Sequence, residues 1–362
     1  MNRSTSLYLD LVRFLAAVVV VLTHLAYPRF SGGRLDALRG FGNDAVMVFF
    51  VLSGWVIAHA ASEREKDLRT FTLHRFARLW SVALPAIVLT LVLDRIGIAL
   101  RPEAYGGAWF QDDRPWLRVL TAATFTNELW FSSTRLFSNG PYWSLGYEFW
   151  YYALFAAAWY LRGAARVVVL LAAAAIAGPK ILLLLPVWAL GVGVQRWTAV
   201  RPASVRLGLA LWAGSILAYA AFRGFDGPER LARLSVDTFG KTYDTLRWSN
   251  EFLSSFVIGP IVALHFAGFH GCSRVFEPLL ARFERTIRGW AGATFSIYLF
   301  HLPLMQCLAT LPAFDPRSPL AVAALFASVL LGCRILSLAT EAQKHRARDW
   351  LRSMIAAVRP RA

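Results

Sequence analysis

The sequence is short of charge. Asp, Glu, Lys and Arg make up 17% of its 362 residues, where a soluble chain carries about 25%. With 57% hydrophobic residues, that shortfall excludes an ordinary soluble enzyme. Cysteine is scarce as well. Cys272, Cys307 and Cys333 have no paired spacing and two of them fall in apolar runs, so neither a disulfide framework nor a metal site is suggested. Acidic residues are outnumbered by basic ones, 22 to 38, for a net charge of +16. In a membrane protein that excess collects in cytoplasmic loops and at lipid headgroups, so it implies no nucleic-acid partner. No internal repeat is visible. The first apolar run is too long for a signal peptide, and no small-residue cleavage site follows it.

What the chain has instead is apolar runs of about twenty residues, the length that crosses ~30 Å of hydrocarbon. Ten spans are expected, near 7–27, 41–61, 79–100, 142–161, 166–179, 181–197, 206–222, 250–268, 289–311 and 318–340. The fold class is an all-α polytopic membrane protein with ten transmembrane helices. Residues 116–131 are apolar but short, which suits an interfacial or re-entrant piece. The basic segments 62–78, 269–288 and the C-terminal tail place both termini in the cytoplasm, although Arg29, Arg34 and Arg39 run against that scheme. A single transmembrane domain over 1–345 is expected, with a basic tail at 346–362 and no fused soluble domain.

The first span, "LYLDLVRFLAAVVVVLTHLAY", carries Asp10, Arg13 and His24. A charge at the centre of a membrane helix costs roughly 2.5–3.5 kcal/mol on insertion scales. Arg13 and His24 are eleven residues apart, within about 20° of whole turns and about 16 Å along the axis, so they share one stripe. That stripe must face the bundle interior. The plain structural alternative is an Asp10–Arg13 pair at the headgroups and a His24 hydrogen-bonded between helices.

Further polar groups fall inside apolar stretches. Ser53–Gly54 at the centre of the second span permits close helix approach. "RFAR" places Arg75 and Arg78 at i, i+3, where two guanidiniums can grip a phosphate. "YWSLGYEFWYY" buries Glu148 among aromatics, with Ser144 a turn before it and Tyr151 and Tyr152 after. "SIYLFHLP" holds Tyr298 and His301, and Glu341 ends the last span, where it is expected to pair with an inner arginine. A buried His/Glu set can serve as base and orienter for a hydroxyl nucleophile. These residues alone fit either group transfer across the membrane or proton-coupled transport.

Taken in order, Arg13 with His24, "FFVLSGW", "RFAR", "WSLGYEFWYY", "SIYLFHLP" and Glu341 resemble the acyltransferase-3 family of integral membrane acyltransferases, which includes surface-glycan O-acetyltransferases. The likeness runs over about residues 7–345. Trp55 stands where the family pattern leads one to expect Phe. The resemblance implies ten spans in a bacterial inner membrane, acetyl-CoA or another acyl-CoA as donor, and transfer to a hydroxyl of a surface or exported carbohydrate such as lipopolysaccharide. It implies His24 as catalytic base and Arg13, Arg75 and Arg78 as donor-binding residues. Glu148 and His301 match motif positions.

On this reading Glu148 or another acid orients His24, while His301 and Tyr298 stabilise the oxyanion. Ser144 and Tyr151 join Tyr298 as candidate substrate contacts, and no metal takes part. Trp109, Trp116, Trp130 and Trp248 are candidate sugar platforms or interface anchors. The partners implied are membrane lipids, acyl-CoA and the carbohydrate acceptor; an oligomeric state is not readable. The alternative function is a proton-coupled exporter or flippase, which the lack of internal repeats disfavours.

Overall fold

The computed structural model describes residues 1–343 apart from 108 and 202, together with 346, 348 and 349. Most of the basic tail expected at 346–362 lies outside the described residues. Ten helices of fifteen residues or more follow in order. They are α1 (Arg3–Leu25), α2 (Gly42–Glu63), α3 (Leu68–Leu100), α4 (Trp143–Tyr160), α5 (Gly163–Ala177), α6 (Pro179–Val200), α7 (Val205–Gly224), α8 (Phe252–Cys272), α9 (Thr294–Leu308) and α10 (Pro319–Ala339). No strand occurs among the described residues.

Their starts are set locally. Asn2 caps α1 by accepting from the Thr5 amide at 2.8 Å, and Asp67 caps α3 through Thr70 at 2.9 Å. Ser204 and Ser318 do the same for α7 and α10. The Asp67 cap starts α3 well before the apolar run begins, so its first turns carry Arg75 and Arg78 in continuous helix. Gly178, at φ +80°, makes the tight turn between α5 and α6. A Cβ there would fall 2.6 Å from Trp130 Cα.

Among the described residues, seven helical stretches are long and apolar enough to cross a membrane, or eight if the bent pair Glu284–Ala291 and α9 counts as one span. This is fewer than the ten expected. The shortfall lies in α4, only 18 residues and loaded with Tyr, Trp and a carboxylate, and in α5, only 15 residues. Glu284–Ala291 meets α9 at 54°. The 116–131 stretch forms the short helix Pro115–Ala123 followed by irregular chain, as its length requires.

Chain ends alternate between two sides of the bundle. Arg3–Glu284, Asn2–Ser273 and Tyr160–Glu65 contacts gather the α1 start, the α2–α3 link and the α4 end on one side, called here the N-terminal side. Residues 26–41, 101–142, 225–251 and 309–318 gather on the far side. Leu84, Val88, Val92 and Ile96 of α3 are exposed at four-residue spacing, and Leu331, Ile335 and Leu338 of α10 are exposed four and three residues apart. Such stripes suit contact with lipid.

The tightest crossing joins α2 and α6. Cβ atoms built at Gly54 and Gly191 would lie 2.1 Å from the Trp188 carbonyl oxygen and 1.9 Å from that of Val51. Gly191→Val should therefore push the helices apart and destabilise the protein by about 1–3 kcal/mol. Gly193→Ala, with nothing within 4 Å, should leave the melting temperature in detergent unchanged; equal losses for both would show that the crossing is not the tight point.

Candidate active site

α1 turns both Arg13 and His24 into the bundle, as their shared stripe demands. His24 Nδ1 lies 2.8 Å from the Val20 carbonyl and 3.1 Å from His301 Nε2, and His301 Nδ1 lies 2.9 Å from the Ile297 carbonyl. One proton on each Nδ1 satisfies all three contacts. His301 then donates to Ile297, its Nε2 accepts, and the His24 Nδ1–H is shared between Val20 and His301. His24 is left with a bare Nε2 lone pair. His24 lines the far-side cavity.

Two cavities approach each other beside this pair. On the N-terminal side a narrow, mostly apolar channel of about 60 Å³ is lined by Arg13, Arg78, Ser53, Glu148, Glu341 and Tyr298, among others. On the far side a wider cavity of about 840 Å³ holds His24, Tyr27, Asn43, Arg135, Trp143 and Trp248 in its wall. Val46 and Tyr298 line both. Ser144 Oγ lies 2.8 Å from Tyr298 Oη and donates to it, which frees the phenol proton.

Carboxylates organise the channel. Glu148 accepts from Ser53 at 2.9 Å and from Tyr152. Glu341 accepts from the Phe295 and Ser296 amides at 3.1 Å each, an anion at the start of α9. Its field reaches Arg13 and Arg78. Arg13 bonds Asp10 at 2.5 Å, and Arg288 reaches the other Asp10 oxygen at 3.2 Å.

The far-side loops include strained chain, of which Arg247 lines the wide cavity. Phe125, Trp130, Phe137 and Arg247 all have φ near +50°, a region that side chains other than Gly seldom adopt. Buried polar contacts hold them there. Asp94 accepts from the Ser138 amide at 3.1 Å, and Asn139 donates to Thr90 and to the Leu299 carbonyl. Glu128 and Lys180 form a fully buried ion pair at 3.0 Å, with Ser133 bonded to Glu128. Trp143 and Trp248 stack at 5.3 Å and 3°. Burial pushes the Arg29 guanidinium down to about 10 and lowers that of Arg135.

The family model described as an acyltransferase domain, acyltransferase-3, matches residues 6–338. The chain belongs to the acyltransferase-3 family. Among curated proteins, acyltransferase MdmB of Streptomyces mycarofaciens is 31% identical over 152 residues, covering 40% of this chain and 36% of that protein. The match thus spans about a third of the curated relative's length. No solved structure matches.

Within this acyltransferase-3 domain the candidate residues separate. His24 and His301 meet directly, whereas Glu148 lines the channel and bonds Ser53 and Tyr152, so the orienting contact on His24 comes from His301 and Val20. Arg78 joins Arg13 in the channel, but Arg75 does not. It bonds Glu65 at 2.5 Å and lines a neighbouring apolar groove with Phe71 and Tyr152. The i, i+3 spacing diverges by some 60° around the helix; the Arg75 guanidinium lies 5.9 Å from the Tyr152 ring centroid while Arg78 lines the channel. Tyr151 is fully buried and donates to the Ile181 carbonyl at 2.9 Å, apart from both cavities. Trp248 lines the far-side cavity, while Trp116 and Trp130 are exposed. Trp109 sits under the Arg29 guanidinium at 4.2 Å.

Sequence reasoning missed Tyr27 and Arg135, which lie in loop chain with no periodicity to mark them. The buried pair offers a direct test of how the wall is held. Glu128→Ala leaves Lys180 buried without its counter-charge and should cost about 3–5 kcal/mol. Replacing both by Leu and Met should recover most of that in thermal unfolding. A single substitution without measurable loss would show that the pair is not what fixes this wall.

Proposed function

We propose that the protein is a membrane-embedded O-acyltransferase that moves an acyl group, acetyl by preference, from acyl-CoA to a carbohydrate hydroxyl. The single observation that carries this reading is His24 in the wall of the wide cavity with its Nδ1 3.1 Å from His301 Nε2; with the proton on Nδ1, Nε2 is left to act as base. We take the N-terminal side as cytoplasmic, with both termini there, ten passes including the short α4 and α5, and a bacterial inner membrane as location.

The donor enters from the cytoplasmic side. Arg13 and Arg78 hold its phosphates, and the slender pantetheine arm follows the apolar channel towards Tyr298. The acceptor enters the wide cavity from outside. His24 Nε2 takes the proton of the acceptor hydroxyl as its oxygen attacks the thioester carbonyl carbon. The Tyr298 phenol, freed by Ser144, donates to the oxyanion. Collapse breaks the carbon–sulfur bond, and the CoA thiolate leaves with the proton carried by His24. His301 acts through His24, fixing its tautomer and ring without adding a charge.

The test is release of free CoA from acetyl-CoA by the purified full chain in detergent, with a pool of surface-glycan acceptors. His24→Ala should lose about 10²–10⁴-fold in rate at unchanged melting temperature. His301→Ala should lower kcat with little change in KM for acetyl-CoA, and His301→Gln, whose amide oxygen still accepts from Nδ1–H, should recover part of it. Arg78→Gln should raise KM for acetyl-CoA more than Arg75→Gln does. Equal CoA release by wild type and His24→Ala would make His24 structural. No release with any acyl-CoA would favour the exporter.

A further inference from the structure

The far-side cavity is electrically polarised. At one pole three guanidiniums gather about one ring. Arg29 Cζ lies 4.8 Å from the Tyr27 centroid and Arg39 Cζ 5.8 Å, while Tyr27 itself meets His24 edge-on at 5.4 Å. Arg135 lines the same cavity and also feels Tyr27, and the fields of Arg135 and Arg29 both reach His24. The same cavity is also lined by Asp244, Arg247 and Glu251, at its other pole; Glu251 faces Asp44, Arg223 and Glu229, and Asp44 accepts from Tyr219 at 2.7 Å.

Among the described residues two of the three cations have no direct ion-pair partner, although the field of the Glu128 carboxylate reaches Arg135. Arg39 pairs with Asp36 at 3.1 Å. Among the described residues no carboxylate lies within 4.0 Å of Arg29 or Arg135. Arg29 donates from Nε to the Gln306 amide oxygen at 3.0 Å and lies over Phe30 and Trp109. Arg135 donates to the Trp109 carbonyl at 2.6 Å, and its buried Nε has no partner at all. A buried charge without a counter-ion is expensive to keep, and a guanidinium does not shed its proton at neutral pH to escape. Paired N–H donors of this kind suit a carboxylate or a phosphate. The donor's phosphates are held on the other side of Tyr298, so these cations are left for the acceptor.

We propose that Arg135, with Arg29 behind it, forms an anion subsite beside His24, and that the acceptor is an acidic carbohydrate bearing a carboxylate or phosphate near the hydroxyl that is acylated. The proposal rests on the acyltransferase reading and names its acceptor class. The stacked Trp143 and Trp248 take a sugar face, with Arg135 Cζ 5.9 Å from the Trp248 centroid. The cavity volume of about 840 Å³ falls within the range of about 300–1,000 Å³ usual for small-molecule sites.

The test is isothermal titration of the full chain in detergent, without donor, against three 4-nitrophenyl ligands: the β-glucoside, the β-glucuronide and the glucoside 6-phosphate. One of the two anions should bind about tenfold more tightly than the glucoside, the gain of about one charge-assisted contact, and the tighter one names the charged group. The preference should collapse in Arg135→Gln, survive in part in Arg135→Lys, and shrink for wild type in about 1 M salt, where screening acts over ~3 Å. The salt series keeps the test decisive if a variant fails to fold. Equal affinities, no binding of any ligand, or a preference untouched in Arg135→Gln would each overturn the subsite. Because no donor is present, failure of acyl transfer would leave these affinities unmoved, and equal affinities in the wild type would overturn the subsite while CoA release still tested the acyltransferase reading separately.

Discussion

Hydrocarbon offers no hydrogen-bond partners, so each polar group on a membrane helix has to find one within the protein. That constraint turns the polar faces of α1, α2, α4 and α9 towards one another. The result is a polar spine from Asp10 and Arg13, through Ser53, Glu148, Ser144 and Tyr298, to His301 and His24. The lipid-facing stripes of α3 and α10 are the counterpart of the same rule. A row of groups that satisfy one another is stable, and it is also where chemistry can be placed.

The two histidines show how such a spine is kept affordable. In a low-dielectric interior a carboxylate beside His24 would bring a second charge whose desolvation has to be offset. A neutral imidazole anchored on the Ile297 carbonyl fixes the tautomer with no charge at all. The carboxylates sit elsewhere, each with donors: Glu148 with hydroxyls, Glu341 with the first amides of α9 and Glu128 with Lys180. Charge is concentrated where a charged ligand is proposed to enter.

Much of this was legible in the residues. Helix periodicity put Arg13 and His24 on one inward stripe, and Ser53–Gly54 foretold the close α2–α6 crossing. The ordered motifs named the family that the domain match then showed. What could not be read was rotation and partnership. Whether Arg75 follows Arg78 into the channel depends on Glu65, a residue ten positions earlier in a link without periodicity. That His301, not Glu148, touches His24 depends on how α9 and α1 are turned towards each other. The far-side loops were least legible, because left-handed residues such as Phe125, Trp130, Phe137 and Arg247 are held by distant buried contacts and carry no local signal. The span count differs for another reason: α4, rich in Tyr and Trp, and α5, of 15 residues, read as apolar runs in sequence but fall short of the length and hydropathy that mark the other membrane helices.

The narrow place at Val46 and Tyr298 has a consequence for the cell as well as for the reaction. A continuous aqueous path between the channel and the wide cavity would conduct protons and small ions and dissipate the gradient that energises the membrane. Val46 and Tyr298, with a channel of about 60 Å³, leave little room for such a path, and on the proposed reading only the slender arm of the donor has to pass. Electrical tightness therefore constrains this site as strictly as reactivity does.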